Sequence, residues 1–160
     1  MSDQNANPVT DVGTDLTAGR CKCGAVHYTL QAPPLFTHAC HCLDCQKHTG
    51  QAFSLTTFVL RDEMIIHGEM LATKVSPRST RHHCAKCQTL LFVSSDAFPL
   101  SVVLKPDTLD DPAIAPPQTH IWTRRKQAGL VLQEDVPQFE EQYDREMVWP
   151  KESLARLREI

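Results

Sequence analysis

Apolar and polar positions alternate through Val26, Tyr28 and Leu30, with His27 and Thr29 between them. A period of two residues marks a strand with one buried face, which leaves His27 on the polar face. Pro33-Pro34 stops that strand, and Leu35 to Ala39 reads as a second. From Gln51 to Leu60 both faces are apolar or small: Phe53, Leu55, Thr57 and Val59 on one, Ala52, Ser54, Thr56, Phe58 and Leu60 on the other. Such a strand is expected to be covered on both sides. Met64 to His67 turns at Gly68-Glu69 into Met70 to Val75, a pattern that predicts a hairpin. Ser76-Pro77-Arg78-Ser79 is a turn, Thr80 to His83 and Thr89 to Val93 are further strands, and Leu100 to Leu104 is an apolar run between Pro99 and Pro106. Helical signals are few. Leu43 to Thr49 is a short turn closed by Gly50 as a C-cap. Pro150 followed by Leu154, Leu157 and Ile160 predicts a short amphipathic C-terminal helix. Asp107 to Gln118 is turn-rich and precedes the short segment His120-Ile121-Trp122. The expected fold is mainly β and mainly antiparallel.

A chain of 160 residues suits one domain with its own core. Residues 1–18 read as a disordered or loosely packed lead-in, 19–140 as the folded domain, and 141–160 as a C-terminal extension carrying the short helix. The first nineteen residues hold Asp3, Asp11 and Asp15 but no Lys or Arg, and no apolar segment of signal-peptide or membrane-spanning type occurs. A cytoplasmic protein without membrane contact is expected. In that reducing compartment cysteines serve as metal ligands or catalysts rather than disulfides.

Seven cysteines change the picture more than any other feature: Cys21, Cys23, Cys40, Cys42, Cys45, Cys84 and Cys87. An odd number fits complete disulfide pairing poorly. Cys21-Lys22-Cys23 and Cys84-Ala85-Lys86-Cys87 are compact two-ligand knuckles, which leaves Cys40, Cys42 and Cys45 as a triplet. Seven thus divides into a closed set of four and an open set of three. Clustered thiolates select a soft metal, and iron–sulfur runs use other spacings, so zinc is favoured. A closed zinc site has four protein ligands; an open one keeps a position for water or substrate. The formal net charge is −3. Two zinc ions with seven thiolates make it more negative, which opposes nucleic-acid binding.

Gly19-Arg20-Cys21-Lys22-Cys23-Gly24, then Cys40-His41-Cys42-Leu43-Asp44-Cys45-Gln46-Lys47-His48-Thr49-Gly50, then His83-Cys84-Ala85-Lys86-Cys87 resemble the glutathione-dependent formaldehyde-activating enzyme / centromere protein V family. Pro117-Gln118-Thr119-His120-Ile121-Trp122 and Val136-Pro137-Gln138-Phe139 resemble its C-terminal signature. The resemblance implies a β-tent of antiparallel sheets stapled by two zinc ions. Cys21, Cys23, Cys84 and Cys87 would form the structural site, and Cys40, Cys42 and Cys45 the catalytic one. It implies condensation of glutathione with formaldehyde to S-(hydroxymethyl)glutathione, a carbon–sulfur lyase-type reaction. Two departures stand out. Gln88 follows Cys87 where the family usually has glycine, and Thr123-Arg124-Arg125 and Ala128-Gly129-Leu130 replace residues that relatives often fill with Asp and with Ala-Pro-Trp.

A thiol bound at the triplet would need cations or donors nearby. His41 is a candidate second-layer support. Lys47 and Thr49 are candidate contacts to a thiol substrate, with His48 beside them; Arg78, Arg81, Arg124 and Arg125 are candidates for its carboxylates. Three classes compete: a zinc enzyme acting on a thiol–aldehyde adduct, a thiol or glutathione carrier without turnover, and a zinc-stapled interaction module. Oligomeric state is left open.

Overall fold

The computed structural model of the protein describes residues 17–158. Ten strands run in chain order as β1 (Thr17–Arg20), β2 (His27–Leu30) and β3 (Phe36–Cys40), then, after helix α1 (Leu43–Thr49), β4 (Ser54–Leu60), β5 (Met64–His67) and β6 (Met70–Ser76). There follow β7 (Ser79–Cys84), β8 (Leu90–Ser95), β9 (Ser101–Leu104) and β10 (Thr119–Ile121), and finally helices α2 (Arg145–Val148) and α3 (Lys151–Arg158). The fold is mainly β, as expected. The lead-in expected over 1–18 lies outside the described residues except for Thr17 and Ala18, which belong to β1. Ile160 of the C-terminal helix pattern also lies outside them.

The strands form a three-stranded sheet, β1-β2-β5, and a seven-stranded sheet, β10-β3-β4-β9-β8-β7-β6. Neighbours are antiparallel except β10, which joins β3 in parallel after a long connection. The hairpin expected between β5 and β6 is not formed. Met64 to His67 pairs with β2 of the small sheet, whereas Met70 to Ser76 pairs with β7 of the large one. Gly68 makes the crossing: its φ is 107°, and an added Cβ would lie 2.2 Å from the Ala25 carbonyl oxygen. Periodicity identifies a strand but not its partner. The true hairpin is β6–β7, with Ser76 opposite Ser79 around Pro77-Arg78.

Two apolar cores lie on opposite faces of the large sheet. Between the sheets, Val26, Tyr28 and Leu30 pack with Val59, Val102, Leu104 and Leu91, and Cys21 and Cys84 close one end. On the other face Leu35, Phe36, Phe58 and Leu60 pack with Trp149 and Leu154 from the C-terminal segment. Phe58 and Val59 are adjacent in β4 and so point to opposite sides, which is why this strand is buried on both. Ser153 donates to the Leu35 carbonyl at 2.6 Å, and Arg156 to the Pro33 carbonyl at 2.8 Å with an ion pair to Glu63. Truncating a ring such as Phe58 or Trp149 would cost about 3–5 kcal/mol. Among the described residues no helix is long and apolar enough to cross a membrane.

Candidate metal centres and the cavities beside them

The first cysteine cluster ties the two sheets together. Cys21 and Cys23 sit in the β1–β2 loop of the small sheet; Cys84 ends β7 and Cys87 follows it in the large one. Both knuckles are closed by a backbone bond from their first cysteine to the residue five positions on, and in each a backbone N–H also donates to that cysteine's sulfur. Cys21 N–H donates to the Val26 carbonyl at 2.9 Å and Val26 N–H to Cys21 Sγ at 3.3 Å. Cys84 N–H donates to the Thr89 carbonyl at 2.9 Å and Cys87 N–H to Cys84 Sγ at 3.5 Å. Each loop turns through a left-handed residue, Gly24 at φ 76° and Gln88 at φ 61°. Gln88 thus adopts a left-handed turn of the kind glycine takes freely, with backbone strain.

All four Sγ atoms of this cluster lie within 4.8 Å of one another. Cys21 to Cys23 is 3.5 Å and Cys23 to Cys84 is 3.8 Å. Zinc with tetrahedral Zn–S bonds of about 2.3 Å needs sulfur atoms about 3.8 Å apart, so the donor set fits that ion. The thiols pull one another apart in acidity. Hydrogen bonds from the Thr89 side chain and backbone hold Cys87 down to about 5. Cys23, against the pull of the Ala25 backbone, is pushed up to about 11 by burial and by the Cys87, Cys21 and Cys84 thiols. A dication resolves that conflict by favouring the thiolate at all four.

The second cluster is local. Cys40 ends β3, Cys42 caps α1 with its Sγ accepting from Cys45 N–H at 3.4 Å, and Cys45 follows one turn later. These three Sγ atoms also lie within 4.8 Å of one another. The Cys45 thiol's hydrogen bond draws Cys40 down to about 6 against the effect of burial, and the same contact raises Cys45. Three crowded sulfurs sharing protons are again a donor set suited to a soft dication, one ligand short of closure. Gly50, at φ 69°, ends α1 by donating to the Gln46 carbonyl at 2.8 Å.

His41 lies between two of these cysteines and is fully buried. Its Nε2 is 3.0 Å from His120 Nδ1, its backbone N–H donates to the Ile121 carbonyl, and its Nδ1 has no partner among the described residues. Burial, then the charges of His120 and Lys126, hold it down to about 4, so the ring is neutral at neutral pH. Gln46 fastens α1 to the segment after β10, donating to the His41 carbonyl at 2.7 Å and the Arg125 carbonyl at 2.9 Å.

Cavities flank α1 on two sides. One of about 460 Å³ is lined by Cys42, Leu43, Asp44, Trp122, Arg124 and Arg125. Trp122 is left-handed at φ 57°, and the Arg124 guanidinium lies 5.1 Å over its ring while pairing with Glu141. The other cavity, about 440 Å³, is lined by His48, Thr49, Phe53, Ser54 and Lys105 among others. Lys105 Nζ donates to Ser54 Oγ at 3.1 Å. Arg81 reaches this rim by donating to His48 Nδ1 at 3.2 Å. Thr49 lines the cavity and donates to the Cys45 carbonyl at 2.9 Å. Lys47 is exposed on α1 and lines neither cavity. Arg78, at the tip of the β6–β7 hairpin, lines neither as well. Arg124 and Arg125 stand on the wall that carries Cys42.

Lys105 and Trp122 were not indicated as site residues by the sequence. Lys105 follows an apolar run, and its place opposite α1 depends on β4–β9 pairing.

Comparison with known proteins bears on these centres. Residues 16–125 match the family described as glutathione-dependent formaldehyde-activating enzyme. A Halomonas elongata protein, whose name proposes such an enzyme, is 25% identical over 121 residues, covering 69% of this chain and 77% of its own. A Rhodobacter sphaeroides protein of solved structure aligns with a TM-score of 0.46 at 15% identity, over 58% of this chain and 87% of that one.

Proposed function

We propose, on the premise that this chain belongs to the glutathione-dependent formaldehyde-activating enzyme family, that it binds a small thiol at Cys40, Cys42 and Cys45 and joins it to an aldehyde. The observation that carries this reading is a three-sulfur centre, one ligand short of closure, with Cys42 on the wall of an arginine-lined cavity. Two zinc ions per chain are proposed: Cys21, Cys23, Cys84 and Cys87 would hold the structural one, and the triplet the other. Zinc at the triplet, when bound, would supply a Lewis acid that lowers the pKa of an incoming thiol.

The chain's own residues position the reactants. Arg124 and Arg125 offer planar forks to a carboxylate of glutathione. On the far side of α1, Lys105, Thr49 and the Arg81–His48 pair offer donors to the other end of the same molecule. His41, locked against His120 and neutral, holds the backbone between Cys40 and Cys42 and supports the centre without contacting substrate. The thiol sulfur bonds to the carbonyl carbon, and the carbonyl oxygen takes the proton that the thiol gave up. With formaldehyde the product is S-(hydroxymethyl)glutathione, and the activity is of carbon–sulfur lyase type. Unpaired thiol clusters require a reducing compartment, which assigns the protein to the cytoplasm in this reading.

Calorimetric titration with glutathione, in buffers of different ionisation enthalpy, tests the binding step. Saturable binding with proton release is expected, and none in Cys42→Ser. Exchange spectroscopy on ¹³C-formaldehyde with glutathione then separates an enzyme from a carrier. Adduct exchange faster than the spontaneous rate marks turnover; an unchanged rate leaves a carrier.

A further inference from the structure

A third cavity, of about 350 Å³, has no residue in common with the two beside α1 and is far more aromatic. Its walls include His38, Phe58, Phe98, Tyr143, Trp149 and Arg145. Half of that set comes from the C-terminal segment beyond residue 125, where the family match ends. The rings meet edge to face or tilted: Phe58 with Phe98 at 5.5 Å, with His38 at 5.6 Å and with Trp149 at 5.0 Å. Ligand pockets of this size are typically apolar with a few fixed polar groups, and aromatic walls favour a flat ring.

The fixed polar group here is His38. It is 8% exposed, and its Nδ1 lies 3.0 Å from the Tyr143 hydroxyl. That hydroxyl accepts from Trp149 Nε1 at 2.9 Å, so its own proton is free to point at His38 Nδ1. His38 Nε2 is then the protonated nitrogen, and no partner for it is found among the described residues. At the rim the exposed Arg145 guanidinium lies 5.6 Å over the Trp149 ring, a cation available to an anionic substituent.

Register places this cavity beside the triplet. Phe36, His38 and Cys40 alternate along β3 and share a face, opposite Phe58, Thr56 and Ser54 of β4. From His38 to Cys40 is about 7 Å along the strand, a span comparable with the length of a benzaldehyde. Formaldehyde, with one carbon, would leave such a cavity empty. Resting on the thiol–aldehyde reading above, we propose that the cavity holds the ring of an aromatic aldehyde substrate, with its carbonyl carbon toward Cys40. The C–S bond forms as before, the carbonyl π pair moving to oxygen and the thiol proton following it.

The test uses 4-(hydroxymethyl)benzoate, which carries the ring and an anion but neither aldehyde nor thiol. The chain has two tryptophans, hence two indole N–H resonances, assignable with Trp122→Phe. A saturable shift of the Trp149 resonance, with that of Trp122 unmoved, is expected in the wild type and equally in Cys42→Ser. Arg145→Ala, which removes one charged partner, should weaken binding roughly tenfold. Phe98 is 37% exposed, so Phe98→Ala should fold and also weaken binding. Benzaldehyde should then form its glutathione adduct faster than formaldehyde does over the respective spontaneous rates, with that preference lost in Phe98→Ala. An unmoved Trp149 resonance, equal affinity in Phe98→Ala, or no preference for benzaldehyde would overturn the proposal. Probe binding without glutathione binding would instead overturn the thiol reading and leave the cavity a ligand site.

Discussion

Cys21, Cys23, Cys84 and Cys87 come from two different sheets and the loops beside them, whereas Cys40, Cys42 and Cys45 come from six consecutive residues at the end of one strand. The difference decides what each cluster can do. Cys23 and Cys84 are 61 residues apart, and closing a loop of that length rather than one of five residues costs about 2 kcal/mol more chain entropy. The first cluster thus holds together segments that would otherwise separate. The second constrains almost nothing beyond its own turn, and one of its sulfurs, Cys42, lines a cavity. A four-sulfur set spanning sheets suits a staple, and a three-sulfur set on a strand end suits a site.

Breaking the first cluster should have the largest effect. Structural zinc contributes on the order of 10–16 kcal/mol in small zinc peptides, against the ~5–15 kcal/mol stability of a whole domain. Cys23→Ser or Cys87→Ser should therefore unfold the protein or lower its melting temperature by tens of degrees, with loss of one zinc per chain by elemental analysis.

Alkaline pH probes the same end of the molecule. Tyr28 packs in the core that Cys21 and Cys84 close, its ring so near Gly19 that a Cβ there would lie 2.2 Å from the hydroxyl oxygen. Burial pushes its phenol up to about 12, with the Thr108 hydrogen bond working the other way. The unfolded chain loses the phenolic proton near pH 10, the folded chain only near 12. The resulting stability of about 3 kcal/mol is complete below pH 10 and is lost as the pH climbs to 12. Tyr28→Phe should be less stable at pH 8 but show a smaller further loss by pH 11, read from urea midpoints at each pH.

Cys42→Ser touches the second cluster and should cost no more than about 1 kcal/mol, since serine is itself a preferred N-cap and its hydroxyl can accept from Cys45 N–H as the Cys42 sulfur does. Far-UV spectra and cooperative melting should persist. A melt as severe as that of Cys23→Ser would make the triplet a second staple and remove the distinction.

The smallest effects compare two left-handed residues. Gly50 closes the helix of the triplet, and an added Cβ would meet no atom within 4 Å, so Gly50→Ala costs backbone strain alone, about 1 kcal/mol. Gln88 pays that strain in the first cluster already, while its side chain donates to the Ala85 carbonyl at 3.2 Å. Gln88→Gly should be neutral or stabilising by up to about 1 kcal/mol in thermal melts.

Which features were legible in the sequence follows from how local they are. Both cysteine clusters announce themselves because the ligands of each knuckle are two or three residues apart. Gly50 as a cap and the alternation of Val26, Tyr28 and Leu30 are equally local. Features that depend on pairing were hidden. Alternation marks Met64 to His67 as a strand without saying that Gly68 sends the chain to another sheet. Lys105 approaches Ser54 only because β9 lies beside β4. The His38–Tyr143–Trp149 network joins residues more than a hundred positions apart, and no spacing along the chain encodes it.

The central claim is that one centre is closed and the other accepts an outside thiol. Zinc-edge absorption on the wild type with selenocysteamine in place of a thiol tests this directly, because selenium scatters unlike any cysteine sulfur. The account predicts a selenium shell amounting to one selenium for every two zinc ions, and its absence in Cys42→Ser. A sulfur shell that the selenol leaves unchanged would contradict it.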